Sequence, residues 1–121
     1  MAASNAERQK KYVETLPGRL KELVKGAKLT CKTRGDREFS ITYKDVLDLW
    51  ELQEGLCAYT GRPMTTLTKD KSLVSIERKD NAQGYIKDNI ILVTWYANRA
   101  RGPHSFEDFV EMCKAVASRY T

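Results

Sequence analysis

Between Ser72 and Gly102 the chain reads SLVSIERKDNAQGYIKDNIILVTWYANRARG, and few folds accommodate that order of residues. Leu73, Val74 and Ile76 make an apolar strand that ends at the charged pair Glu77-Arg78. Asp80-Asn81 and Gly84 are turn formers, and Ile86 to Val93 supplies a second strand with Ile90, Ile91 and Leu92 inside. Thr94 then caps a short helix over Trp95–Arg101, which Gly102-Pro103 closes. With connections this short, the two strands and the helix must be neighbours in space.

The rest of the chain is read around that unit. At 121 residues there is room for one domain with a modest core. The formal charge of +5 is unevenly placed. Residues 1–40 carry ten Lys and Arg against five Asp and Glu, and the remainder is balanced at eleven each. A basic block favours a polyanion, most often nucleic acid, although the same lysines could serve only as a solvated helix face. No apolar run approaches a membrane span of about 20 residues, and no signal-peptide core is visible. Cys31, Cys57 and Cys113 are odd in number and far apart, which fits a reducing cytoplasm. Without a CxxC pair, no structural zinc is expected.

Residues 1–15 are polar and expected to be flexible, frayed or only loosely helical, and residues 16–121 to form a single domain. Pro17 suits a first helical turn, and Leu20, Leu23, Val24, Ala27 and Cys31 repeat at helical spacing over about 17–34. Lys21, Lys25, Lys28 and Lys32 fall on the other side of this helix, as candidate contacts to a nucleic-acid backbone. Arg37 to Ile41 should be extended. Thr42 with Asp45 opens a packing helix over 43–54 that ends at Gly55. LCAYTGRPM is a small hairpin or tight loop turning at Thr60-Gly61. Ser105 with Asp108 opens a last amphipathic helix over 106–119, expected to cover the 72–102 unit from behind. The fold class is therefore α+β, mostly helical.

Hydrolysis of a phosphodiester needs neutralised phosphate charge, an oriented water, a base and a stabilised leaving oxygen. A hard divalent ion supplies much of this while using few protein ligands. Glu77, at the end of one strand, and Asn98, on the following helix, are placed to converge on such an ion.

This order of residues resembles the ββα-metal unit of the HNH (His-Me finger) endonucleases, most of all the small phage-encoded ones, over about residues 43–118. In that family an acid–histidine pair ends the first strand, the acid binding metal and the histidine activating water. Glu77 matches the acid. An asparagine that braces the loop matches Asn89 in GYIKDNI, and a metal-binding residue on the helix matches Asn98 in ANRARG. Cys57 stands where the family's first knuckle cysteine would be, with Thr60 in place of its partner. The resemblance implies a ββα-metal finger at 72–102, Mg²⁺ or Mn²⁺ as cofactor and DNA as substrate. It also implies action in the host cytoplasm if the gene is a phage's. Double-strand cleavage would need a homodimer or two events.

Arg78 departs from the pattern, because it falls on the family histidine. Arginine keeps its proton and cannot act as a general base, but it can clamp a phosphate or stabilise transition-state charge. The base would then be a metal-bound hydroxide, a substrate phosphate oxygen, Tyr85 or His104, the chain's single histidine. Arg99 and Arg101 flank Asn98 and are candidate phosphate contacts, with Lys79 beside Arg78 a weaker one. Trp95 and Tyr96 could stack on bases, although core packing is the expected use of at least one. Loss of a general base typically costs about 10²–10⁴-fold. Both a nuclease and a catalytically silent binding scaffold are compatible with Arg78.

Overall fold

The computed structural model of the protein describes residues 4–35 and 38–121. Among the described residues, five α-helices accompany one two-stranded antiparallel sheet: α1 (Asn5–Val13), α2 (Leu16–Arg34), α3 (Tyr43–Leu52), β1 (Val74–Arg78), β2 (Ile90–Thr94), α4 (Trp95–Arg101) and α5 (Phe106–Tyr120). The class is α+β, with most residues helical.

Local chemistry explains the boundaries. Thr15 accepts from the Gly18 N–H to cap α2, Pro17 sits in its first turn, and Gly35 closes it in the left-handed region at φ 75°. Thr42 and Asp45 form a reciprocal capping box at α3. Thr94 and Ser105 cap α4 and α5 by accepting from the N–H groups of Ala97 and Asp108. Asn5–Val13 is helical, within the stretch expected to be frayed or only loosely helical. Two boundaries differ from expectation. Helix α3 stops at Leu52, because Glu54 and Gly55 both turn to positive φ. The second strand begins at Ile90, because Lys87–Asn89 coils into a 3-10 turn ahead of it. Phe39 makes an isolated bridge with Tyr85, and Arg37, at the start of that expected extended stretch, lies outside the described residues.

β1 and β2 pair from Val74↔Thr94 to Arg78↔Ile90. Helix α4 lies against both strands, α3 packs on β2, and α2 packs on α3. Leu20, Ala27, Val46, Val74, Ile76, Ile90, Leu92 and Val93 meet in the core. Arg19 ties α2 to the sheet by donating twice to the Val74 carbonyl, at 3.1 and 2.7 Å. Gln53 completes the outer edge of β2. Its amide donates to the Leu92 carbonyl at 2.8 Å, and its side-chain oxygen accepts from the Leu92 N–H at 3.0 Å.

Helix α5, expected to cover the 72–102 unit from behind, only shares an open hollow with α4 of that unit. None of its residues is buried, and its nearest aromatic contacts are Phe106 and Phe109 against Tyr59. The core side of the sheet is already filled by α2 and α3, which leaves α5 on the periphery. Among the described residues, no helix is long and apolar enough to cross a membrane.

Candidate active site

The end of β1, the loop that follows it and α4 frame an open cleft of about 620 Å³ lined by Glu77, Arg78, Asn81, Tyr85, Asn98 and Arg99, with Gly102 and Pro103 completing it. Glu77 and Ser75 point to the same face of β1, the face that α4 covers. Asn98 binds there through its amide nitrogen, which donates to the Ser75 hydroxyl at 3.0 Å and the Ile76 carbonyl at 3.1 Å. With the nitrogen committed to the strand, the amide oxygen Oδ1 is the end left to accept a ligand.

Glu77 is 5% exposed, and its Oε2 has no hydrogen-bond partner. Burial pushes its carboxyl above the usual carboxylate range; the Arg101 charge, the Arg78 N–H and the nearby Tyr59 hydroxyl pull the other way without cancelling it. A buried carboxylate oxygen that accepts no hydrogen bond is costly, and Arg101, 3.6 Å away, offsets that cost only in part. A carboxylate and an amide oxygen lining one cleft suit a cation. Among the described residues no three His, Cys, Asp or Glu side chains gather as a metal cage. The available pair is one carboxylate and one amide, a donor set that fits an ion retaining much of its water, as Mg²⁺ does.

Asn89 holds the far wall. Its amide nitrogen donates to the carbonyls of Asp80 (3.0 Å) and Gly84 (2.9 Å), and its oxygen accepts from the Asp80 N–H at 2.9 Å. At 5% exposure it is a buried brace for the loop 80–84. Gly84 is required there, since a Cβ would lie 1.9 Å from the Glu38 carbonyl oxygen. The Asp80 carboxylate accepts from the Ala82 N–H and the Gln83 amide rather than from Arg78 or Lys79.

Arg78 lies half-buried over the Tyr85 ring, 5.2 Å from its centre, and one guanidinium nitrogen donates to the Gln83 carbonyl. Its other donors are available on the cleft wall. Tyr85 also lines the cleft, whereas the His104 side chain is exposed outside its lining. The structure brings Glu77, Arg78, Tyr85, Asn98 and Arg99 together and leaves His104 apart. Lys79 is exposed and lines other hollows on the surface.

Arg101 requires a correction. Expected to contact phosphate, it is 1% exposed. Its guanidinium donates to the carbonyls of Arg78 (2.7 Å), Lys79 (3.0 Å) and His104 (2.9 Å) and to the Tyr59 hydroxyl (2.9 Å). It also stands 3.6 Å from Glu77 Oε2. Arg101 shares its helix face with buried Ala97, one turn back, and that i, i+4 relation was the available sequence signal. Trp95 and Tyr96, expected to give at least one ring to the core, are 42% and 58% exposed.

Cys57 is buried, and its sulfur accepts from the Thr94 N–H at 3.3 Å. Burial alone would raise its thiol, but the Thr60 hydroxyl and the N–H groups of Thr94, Thr60 and Tyr59 outweigh it and leave the pKa lowered. Lys21, Lys25, Lys28 and Lys32 are all exposed on α2, with Lys21 over the Tyr43 ring at 5.1 Å.

No protein-family model matches the chain. Over 86 residues, 71% of its length, the chain is 31% identical to an uncharacterized 29.0 kDa protein from the dda-modA intergenic region of enterobacteria phage T4. That stretch spans 34% of the phage protein, so the chain corresponds to about a third of that relative.

Proposed function

We propose that the protein is a metal-dependent DNA endonuclease of the HNH class and that residues 72–102 are its ββα-metal finger. The observation that carries this proposal is the buried Oε2 of Glu77, which accepts no hydrogen bond and has the Arg101 guanidinium 3.6 Å away, in the same cleft as the amide of Asn98. In this reading Glu77 and Asn98 hold Mg²⁺ or Mn²⁺. When bound, the ion neutralises phosphate charge and makes water a better nucleophile at neutral pH.

The protein's own residues do the remainder. Arg78, steadied by Tyr85 and the Gln83 carbonyl, directs its free donors to the scissile phosphate and stabilises charge that develops on it. Asn89 fixes the loop behind Arg78. Arg99 contacts a neighbouring phosphate from the cleft rim, and the α2 lysines add sequence-independent attraction to the backbone. Tyr85, in the cleft, is the better-placed side chain to relay a proton, and His104 is the worse-placed one. Hydrolysis leaves a 5′-phosphate.

A second reading, a catalytically silent nucleic-acid-binding scaffold, draws on Arg78 in the position of the family base and on Arg101 only 3.6 Å from Glu77 Oε2. Supercoiled plasmid separates the two. With Mg²⁺ or Mn²⁺ the protein should nick it, chelator should stop the reaction, and Glu77→Ala or Asn98→Ala should abolish it. Equal cutting by both variants would remove the site assignment. A silent parent that Arg78→His switches on would establish the scaffold reading.

A further inference from the structure

We infer that the strand bound at this cleft presents an unpaired nucleotide, whose base stacks on Trp95. The inference rests on the nuclease reading of the cleft and names its substrate class. Trp95, Asn98 and Arg99 share one face of α4 at i, i+3 and i+4. The backbone of Trp95 therefore lies less than one helical turn, ~4.5 Å along the axis, from that of Asn98, which carries the proposed metal-binding amide. It is exposed, adds little to the core, and lies under the Arg99 guanidinium at 5.5 Å. Arg99 also lines the cleft, so a single side chain joins the ring to the phosphate site. The next residue repeats the device, with Tyr96 exposed and the Lys71 ammonium 5.3 Å from its ring centre.

Two successive exposed aromatics, each covered by a cation, match the two chemistries of a nucleotide. The cations pair with phosphate, and the rings offer a flat apolar face to a base. In a duplex both faces of each base are covered by its neighbours, so a base can reach Trp95 only when it is unpaired or turned out of the stack. On arrival of the base, Arg99 exchanges the indole face for the adjoining phosphate. Trp50, the chain's other tryptophan, has a different role: it is half-buried, and its ring sits beside Gly55.

The test uses the full chain with chelator present, so that nothing is cut. In Trp50→Phe protein, where Trp95 is the remaining indole, fluorescence should fall as a short oligothymidylate or oligouridylate is added. The two arms tell whether the sugar matters. Read by the anisotropy of a dye-labelled strand, which needs no tryptophan, the single strand should bind about tenfold tighter than a duplex of equal length, and Trp95→Ala should remove about that factor while leaving duplex affinity unchanged. Trp95→Phe should retain most of it, and circular dichroism checks that each variant is folded. Equal affinity for duplex and single strand, an equal loss on both in Trp95→Ala, or no binding at all would overturn the inference. Selective binding by a protein that never nicks plasmid would sustain the stacking site and remove the nuclease reading instead.

Discussion

Arg99 and Arg101 are two residues apart on one short helix, and the structure gives them opposite roles. Replacing Arg101 by Met keeps much of the volume and removes every donor. Three backbone carbonyls and the Tyr59 hydroxyl lose a partner, and Glu77 loses the buried cation 3.6 Å from its carboxylate. Breaking one side of a buried charged network costs about 3–5 kcal/mol, and the loss here should be about 4 kcal/mol. That is a large share of the roughly 5–15 kcal/mol that holds such a domain together. With a urea slope of about 2 kcal/mol per molar, the unfolding midpoint should fall by about 2 M. Arg99→Met gives up one exposed cation–π contact, about 0.5–1 kcal/mol, and should move the midpoint by less than about 0.5 M. Urea unfolding followed by circular dichroism measures both. A loss under about 1 kcal/mol at Arg101, or equal losses at the two positions, would refute the structural role assigned to Arg101.

Asn89→Ala removes three hydrogen bonds from a buried brace and should cost about 2–3 kcal/mol; amide exchange at Asp80 should speed up well before exchange in β2 does. Unchanged protection at Asp80 would count against the brace. The Glu77 carboxyl sits above its ordinary value because of burial, so the folded chain takes up this proton more readily than the unfolded one. Its contribution therefore favours folding fully below the unfolded pKa of about 4.3 and fades as pH rises through the higher folded value. In chelator, the stability of the parent relative to Glu77→Gln should accordingly decline from about pH 4 upward, as urea unfolding at a series of pH values would show. A difference that stays flat with pH would contradict a raised pKa.

The elements that were legible in the sequence are those marked by local chemistry. Thr42 with Asp45, Thr94, Ser105 and Gly35 set helix ends through hydrogen bonds within a few residues, and the sequence carries all the partners. Apolar alternation likewise placed β1. The 3-10 turn at Lys87–Asn89 was missed because Ile86 and the apolar run after it read as one strand. The position of α5 was missed because an amphipathic pattern says that a face is apolar, not that anything covers it. At the site, Glu77, Arg78 and Asn98 come together because one strand end and one helix face carry them. Arg101 was misread because its burial depends on carbonyls at Arg78, Lys79 and His104, which only the fold converges. Gln53 escaped notice for the same reason, its partner being Leu92 on a strand far along the chain.

Titration with Mn²⁺, followed by the loss of its free-ion paramagnetic resonance signal, tests most directly whether Glu77 and Asn98 form a cation site. The parent should bind a single ion saturably, Mg²⁺ should displace it, Glu77→Ala should abolish binding, and Asn98→Ala should weaken it. Absence of saturable binding, or binding that both variants retain, would contradict the account.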